Sequence, residues 1–331
     1  LEKLTVQMHP SFIKQPKHRI SPVGVLFLLF ISPQIAIGAV ECFSTSSKIL
    51  GRDVSYCVSL PPSYRDSTRR YPVLYFLHGL FEEPISWKER GGEAILEKQR
   101  QGGKLREFVL ILPEGKRSFY VNSRNGDVNY EDFFIREFIP WIDQRYRTLK
   151  DANYRAVSGT SMGGYGALHL GMKYPHLFGA VSAHSPVLVT KPAERARTFA
   201  AYPLRRKKKQ KDNNNRTDRK KEKNQGISSE NWRIKALEGA FGSPLDWSYW
   251  QENDPLFLAR KPKEFSQLKL YFDCGEQDRY GFDEGARELH RILKANGFDH
   301  EYAIRPGDHG WSFLTQYLEL SLQFHSMHFS D

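Results

Sequence analysis

From residue 50 onward, short apolar runs alternate with stretches in which apolar residues recur every three or four positions. Val54 to Leu60 alternates and stops at Pro61-Pro62, which predicts a strand with one covered face. Val73-Leu74-Tyr75-Phe76-Leu77 and Phe108 to Leu112, the latter stopped by Pro113, are continuous apolar runs, as strands buried on both faces require. Glu131 to Tyr146 sets Phe134, Phe138, Trp141 and Ile142 on one helical face, with Pro140 predicting a kink or a broken turn. A short strand (Tyr154 to Ser158), a helix of small residues (Met162 to Tyr174) and another strand (Phe178 to Ser182) follow. The alternation resumes with a strand at Leu268 to Phe272 and a helix from about Asp283 to Asn296, stopped by Gly297. A strand at His300 to Ile304 and a last helix from Trp311 complete it. Strands alternating with helices predict βα units, hence an α/β protein with a mostly parallel sheet flanked by helices.

Two segments break this pattern. Ile20 to Val40 carries no charge, is almost wholly apolar from Val23 to Ile31, follows Lys14, Lys17, His18 and Arg19, and ends in the small residues Ala36, Gly38 and Ala39. That layout predicts an export signal cut near Ala39, with Met8 a natural start. The alternatives are a retained membrane anchor, shortened by Pro22 and Pro33, or a helix of the fold. Residues 41–331 then form one catalytic domain. Inside it, Lys191 to Asn231 has a middle without any apolar residue, expected to be a disordered insertion in a surface loop.

Charge sharpens this division. The chain has 331 residues and a formal charge of +11, yet residues 203–225 alone hold 11 basic and 3 acidic side chains and residues 1–40 hold 4 and 1. The remaining body balances 34 bases against 34 acids, so it offers no electrostatic footprint for a phosphate backbone and no nucleic-acid partner is expected. The basic run lacks aromatics on which bases would stack. Cys42, Cys57 and Cys274 have no metal-ligand spacing; they are either one disulfide and a free thiol, if the chain is exported, or three buried thiols.

The chemistry gathers at strand ends. Gly159-Thr160-Ser161-Met162-Gly163 lies between a predicted strand and a predicted helix, the context a GxSxG nucleophile elbow requires. The serine must sit on a strained turn to expose its hydroxyl, and glycines at either side avoid a clash of Cβ with backbone. Upstream, a buried strand runs into His78-Gly79-Leu80. Acyl transfer needs two N–H groups aimed at the developing oxyanion, and Leu80 and Met162 are the candidates. In hydrolases with this elbow the acid and then the base follow the serine in the chain. The acid candidate is Asp278, in the loop after a buried strand, with Asp273 its competitor at the strand end, where it is expected to close the turn. The base candidate is His309, in Pro306-Gly307-Asp308-His309-Gly310-Trp311 after the last strand, and Trp311 beside it is the substrate-binding candidate. His184, His290, His300, His325 and His328 are read as solvated or core histidines. No cofactor or metal is needed.

These residues, with Pro61-Pro62-Ser63-Tyr64, Tyr71-Pro72-Val73-Leu74-Tyr75, Tyr130-Glu131-Asp132 and Ile139-Pro140-Trp141-Ile142-Asp143, resemble the bacterial putative-esterase family over about residues 48–190 and 232–325. That family includes tributyrin-type, feruloyl and acetyl-xylan esterases, S-formylglutathione hydrolases and the antigen 85 mycolyltransferases. The resemblance implies an α/β-hydrolase fold, Ser161, Asp278 and His309 as triad, and Leu80 and Met162 as oxyanion donors. The basic insertion departs from the family pattern and falls where members vary the cap over the acyl pocket. The expectation is an exported serine carboxylesterase for short- to medium-chain or carbohydrate-linked esters, touching membrane only through an uncleaved N-terminal segment. Alternatives are an envelope acyltransferase with the same triad and a catalytically inactive binding module.

Overall fold

A computed structural model describes residues 38–190 and 237–329. The leader read from residues 1–40, apart from its last three residues, and the basic insertion lie outside the described residues.

Among the described residues eight strands form one sheet: β1 (Val40–Ser47), β2 (Arg52–Ser59), β3 (Val73–Leu77), β4 (Val109–Pro113), β5 (Arg155–Thr160), β6 (Ala180–His184), β7 (Lys269–Gly275) and β8 (Glu301–Arg305). Their order is β1-β2-β4-β3-β5-β6-β7-β8, antiparallel at β1/β2 and β2/β4 and parallel everywhere else. Six helices of seven or more residues, again among the described residues, accompany it: α1 (Gly92–Gln101), α2 (Ile139–Arg145), α3 (Met162–Lys173), α4 (Trp247–Asn253), α5 (Phe282–Ala295) and α6 (Trp311–His328).

The unbroken apolar runs of β3 and β4 are explained by a core on each face. Val73, Tyr75, Leu77, Val109 and Ile111 pack with α3 and α5 on one side. Leu74, Phe76, Leu110 and Leu112 pack with Leu96 of α1 and Leu314, Leu318 and Leu322 of α6 on the other. A strand whose successive side chains point to opposite faces must be apolar throughout when both faces are covered. The expected helix at Glu131 to Tyr146 is divided: a turn at Tyr130–Asp132, a wide π-type stretch at Phe133–Phe138, and then α2, with Pro140 in its first turn. Proline has no N–H for the preceding turn, and the first turn of a new helical segment is where that loss is cheapest.

β1 was not predicted. It is an edge strand of mostly polar, half-exposed residues, anchored where the Val40 N–H donates to Glu93 Oε1 at 2.5 Å and the Gly38 N–H donates to Leu60 O at 3.3 Å. Cys42 and Cys57 stand opposite each other in the β1/β2 ladder and form a disulfide, leaving Cys274 as a buried free thiol. Among the described residues no helix is long and apolar enough to cross a membrane.

Candidate active site

The loops after β3, β5, β7 and β8 meet at the carboxyl end of the sheet, where ligands bind in open α/β sheets. β5 ends at Thr160, Ser161 takes φ 56° and ψ −116°, and α3 starts at Met162. A serine at positive φ is strained and is held there by its surroundings. Its N–H donates to His184 O at 2.9 Å, and its carbonyl accepts from the Val187 N–H at 3.2 Å. The two elbow glycines admit the sharp turn: a Cβ on Gly159 would lie 2.2 Å from Gly163 O, and one on Gly163 would lie 1.9 Å from Leu77 O.

Ser161 Oγ lies 2.9 Å from His309 Nε2, and His309 Nδ1 lies 2.7 Å from Asp278 Oδ2. The carboxylate can only accept, so Nδ1 carries the proton and Nε2 is left to accept from the serine hydroxyl. Asp278 is fully buried, its other oxygen accepting the Tyr280 N–H at 2.8 Å. Burial, and then the neighbouring Asp278 charge, push the Cys274 thiol pKa well up, so it stays protonated and donates to Asp278 Oδ2 at 3.5 Å. The rings of Tyr280 and Phe282 stand edge-on to the imidazole. Asp308, clasped by Arg279 at 2.5 Å, accepts the His309 N–H at 2.7 Å and fixes the base loop to the acid loop.

The third group is the loop after β3. His78 Nε2 accepts the Gly115 N–H at 2.8 Å, so its proton sits on Nδ1 and is donated to Gly79 O, also at 2.8 Å. Burial lowers its pKa, which keeps the ring neutral in this tautomer. A trans peptide directs its C=O and its N–H to opposite sides. With the Gly79 carbonyl turned to His78, the Leu80 N–H points the other way. A Cβ on Gly79 would stand 3.6 Å from Ser161 Cβ, which puts this peptide beside the serine. Among the described residues neither the Leu80 nor the Met162 amide has a protein acceptor. A cavity of about 170 Å³ opens over Ser161, lined by Leu80, Phe119, Met162, Val187, Phe282 and Trp311.

Asp273 does not close a turn. It lies within β7, fully buried, with Oδ1 2.8 Å from His184 Nδ1 and Oδ2 accepting from Tyr271 Oη at 2.6 Å. His184 Nε2 in turn lies 2.8 Å from Ser321 Oγ of α6. Serine, histidine and aspartate thus meet a second time, 0–1% exposed, in the core between sheet and α6. His325 is likewise buried, 2.7 Å from Ser182 Oγ, whereas His290 and His300 pair near the surface at 2.9 Å.

Sequence reasoning passed over the work of His78, Glu82 and Tyr280, and the packing role of Glu131. Glu131 accepts from His169 Nε2 and Lys173 Nζ, each at 2.7 Å, and from the Tyr174 hydroxyl, which ties the turn at Tyr130–Asp132 to the elbow helix. Burial alone would raise its pKa; the His169 and Lys173 contacts outweigh that and leave it at about 2. A carboxyl lowered from its ordinary value near 4.5 stabilises the fold above that value and ceases to do so as pH falls from about 5 towards 2. Stability measured by urea unfolding is therefore expected to decline over this window by on the order of 2 kcal/mol more in the wild type than in Glu131→Gln. Equal declines would show that this carboxyl does not carry the effect.

The chain has relatives among known proteins. An esterase of Mycobacterium tuberculosis is 35% identical over 147 residues, 43% of this chain and 31% of that protein, so the chain spans about a third of this relative's length. An acetyl esterase of Caldicellulosiruptor saccharolyticus is 24% identical over 292 residues, 85% of this chain and 95% of that one. Among solved structures, a ferulic acid esterase superposes with a TM-score of 0.67 at 24% identity, covering 88% of this chain and 98% of its own, and so shares the α/β-hydrolase fold. The family described as Putative esterase matches residues 47–321. A match that begins at the end of β1, ends within α6 and contains all the residues of the site makes this chain a member of that family.

Proposed function

We propose that the chain is a serine carboxylesterase, with Ser161 as nucleophile, His309 as base, Asp278 as the acid that orients it, and the Leu80 and Met162 amides as oxyanion donors. The observation that carries this is the unbroken contact from Asp278 through His309 to Ser161, at 2.7 and 2.9 Å, ending in an open apolar cavity. Ser161 Oγ attacks the ester carbonyl carbon as His309 Nε2 takes its proton, and Asp278 stabilises the resulting imidazolium. The carbonyl electrons move onto oxygen between the two amides. His309 returns the proton to the departing alkoxide, leaving an acyl-serine. Water, losing its proton to His309, then releases the acid and restores the hydroxyl.

The cavity bounds the substrate. Its volume of about 170 Å³ is close to that of an engineered apolar cavity of about 150 Å³ that takes one benzene. Trp311 on its wall is the proposed substrate-binding side chain. We therefore assign acetyl to short-chain and single-ring aromatic acyl groups, in keeping with the acetyl and ferulic acid esterases to which the chain is similar. The Cys42–Cys57 disulfide supports an exported enzyme. A p-nitrophenyl ester series from acetate to palmitate, run beside feruloyl and acetyl-xylan substrates, tests the assignment. Turnover is expected to be greatest for acetate to about hexanoate and for the feruloyl ester, with a fluorophosphonate probe labelling Ser161. No labelling and no turnover of any ester would overturn it.

A further inference from the structure

The loops on either side of Ser161 are joined by one side chain. Glu82 Oε2 accepts the Gly79 N–H at 2.9 Å, and Glu82 Oε1 accepts the Trp311 Nε1–H at 2.6 Å, a contact between residues 229 positions apart. Arg90 stands 4.0 Å from Oε1, and the carboxylate is only 14% exposed on the wall of the cavity that holds Ser161. Gly79 directly precedes the oxyanion donor Leu80, and Trp311 follows the base by two residues. The carboxylate thus spans the gap between the loop that meets the oxyanion and the loop that carries the base.

We propose that Glu82 is a positioning residue that clamps these loops in register, so that the Leu80 N–H and the His309 ring face Ser161 together. The inference rests on the reading of Ser161 as nucleophile. Each carboxylate oxygen has its own N–H donor, and this is what makes the clamp specific. A glutamine of the same shape offers one oxygen and one NH2 group, so however it turns, an N–H of the amide meets an N–H of a loop. Removing the indole N–H relieves that conflict, because the single amide oxygen can then serve Gly79.

The test compares Glu82→Gln, Trp311→Phe, the double variant and Ser161→Ala on p-nitrophenyl acetate, with thermal midpoints measured beside them. Misaligning an oxyanion donor costs less than removing one, which costs about 100- to 1,000-fold. Glu82→Gln is therefore expected to lower kcat by roughly 10- to 50-fold with KM within about twofold. In the Trp311→Phe background the same change is expected to add less than about a twofold loss. A role confined to stability would lower the midpoint and leave the kcat of folded enzyme unchanged. An unchanged kcat in Glu82→Gln, or losses that multiply in the double variant, would overturn the clamp while an inactive Ser161→Ala left the nucleophile standing. An active Ser161→Ala would instead overturn the reading beneath it. Should Glu82→Gln fail to fold, Trp311→Phe breaks the same clamp from its other end: a fall in kcat supports it, whatever KM does as this wall of the cavity changes, and an unchanged kcat ends it.

Discussion

Ser161→Ala is expected to lower kcat/KM for a good ester by about four to six orders of magnitude while leaving the thermal midpoint within a few degrees of wild type. Both halves follow from the elbow. The hydroxyl is the atom on which base and oxyanion amides converge, so nothing replaces it as nucleophile. Among the described residues its hydroxyl meets one side chain, that of His309, so its removal opens no cavity and orphans no buried donor. The backbone stays at φ 56°, fixed by the bonds to His184 O and from the Val187 N–H and by the close approach of Gly163 to Leu77. A small residual rate from the oxyanion amides and the cavity should persist. Single-turnover kinetics with p-nitrophenyl acetate make the measurement; activity within tenfold of wild type would move the nucleophile elsewhere.

The second large effect separates two aspartates five positions apart. Asp278→Asn is expected to lower kcat by roughly 10,000-fold, whatever it costs in stability, because an amide that donates to Nδ1 selects the tautomer whose Nε2 cannot accept from the serine. Asp273→Asn should do the opposite. It leaves His184 and Tyr271 in the core without their acceptor charge, which costs about 1–3 kcal/mol of stability, and it touches nothing at the site. Paired kcat and urea-unfolding measurements on both variants check this. If Asp273→Asn lost activity at unchanged stability and Asp278→Asn kept it, the acid would be the other residue.

Much of this was legible in the sequence because the determining signals are local. β3 and β4, buried on both faces, announce themselves as five apolar residues in a row, and Ser161, Asp278 and His309 each lie in the segment that follows a predicted strand. What escaped has a common physical cause. β1 buries little, so its residues carry no apolar period. α1 buries only Gly92, Leu96 and Gln99, too few to mark a helical face. The function of Glu82 is set by an indole from the far end of the chain, and that of His78 by the Gly115 amide, neither of which leaves any trace in the surrounding residues. Glu131, legible only as the start of a helix, holds the elbow helix through His169, Lys173 and Tyr174, partners 38 to 43 positions away.

The inner cluster of Ser321, His184 and Asp273 bears on how such enzymes are recognised at all. A search by interatomic distance alone would return two hits among the described residues and could not rank them. The outer one faces a cavity a carbonyl can enter; the inner one is sealed behind α6, where no ester arrives and no water follows to release a product. The same three functional groups act as a reagent in one place and as mortar in the other, and depth below the surface is what assigns them.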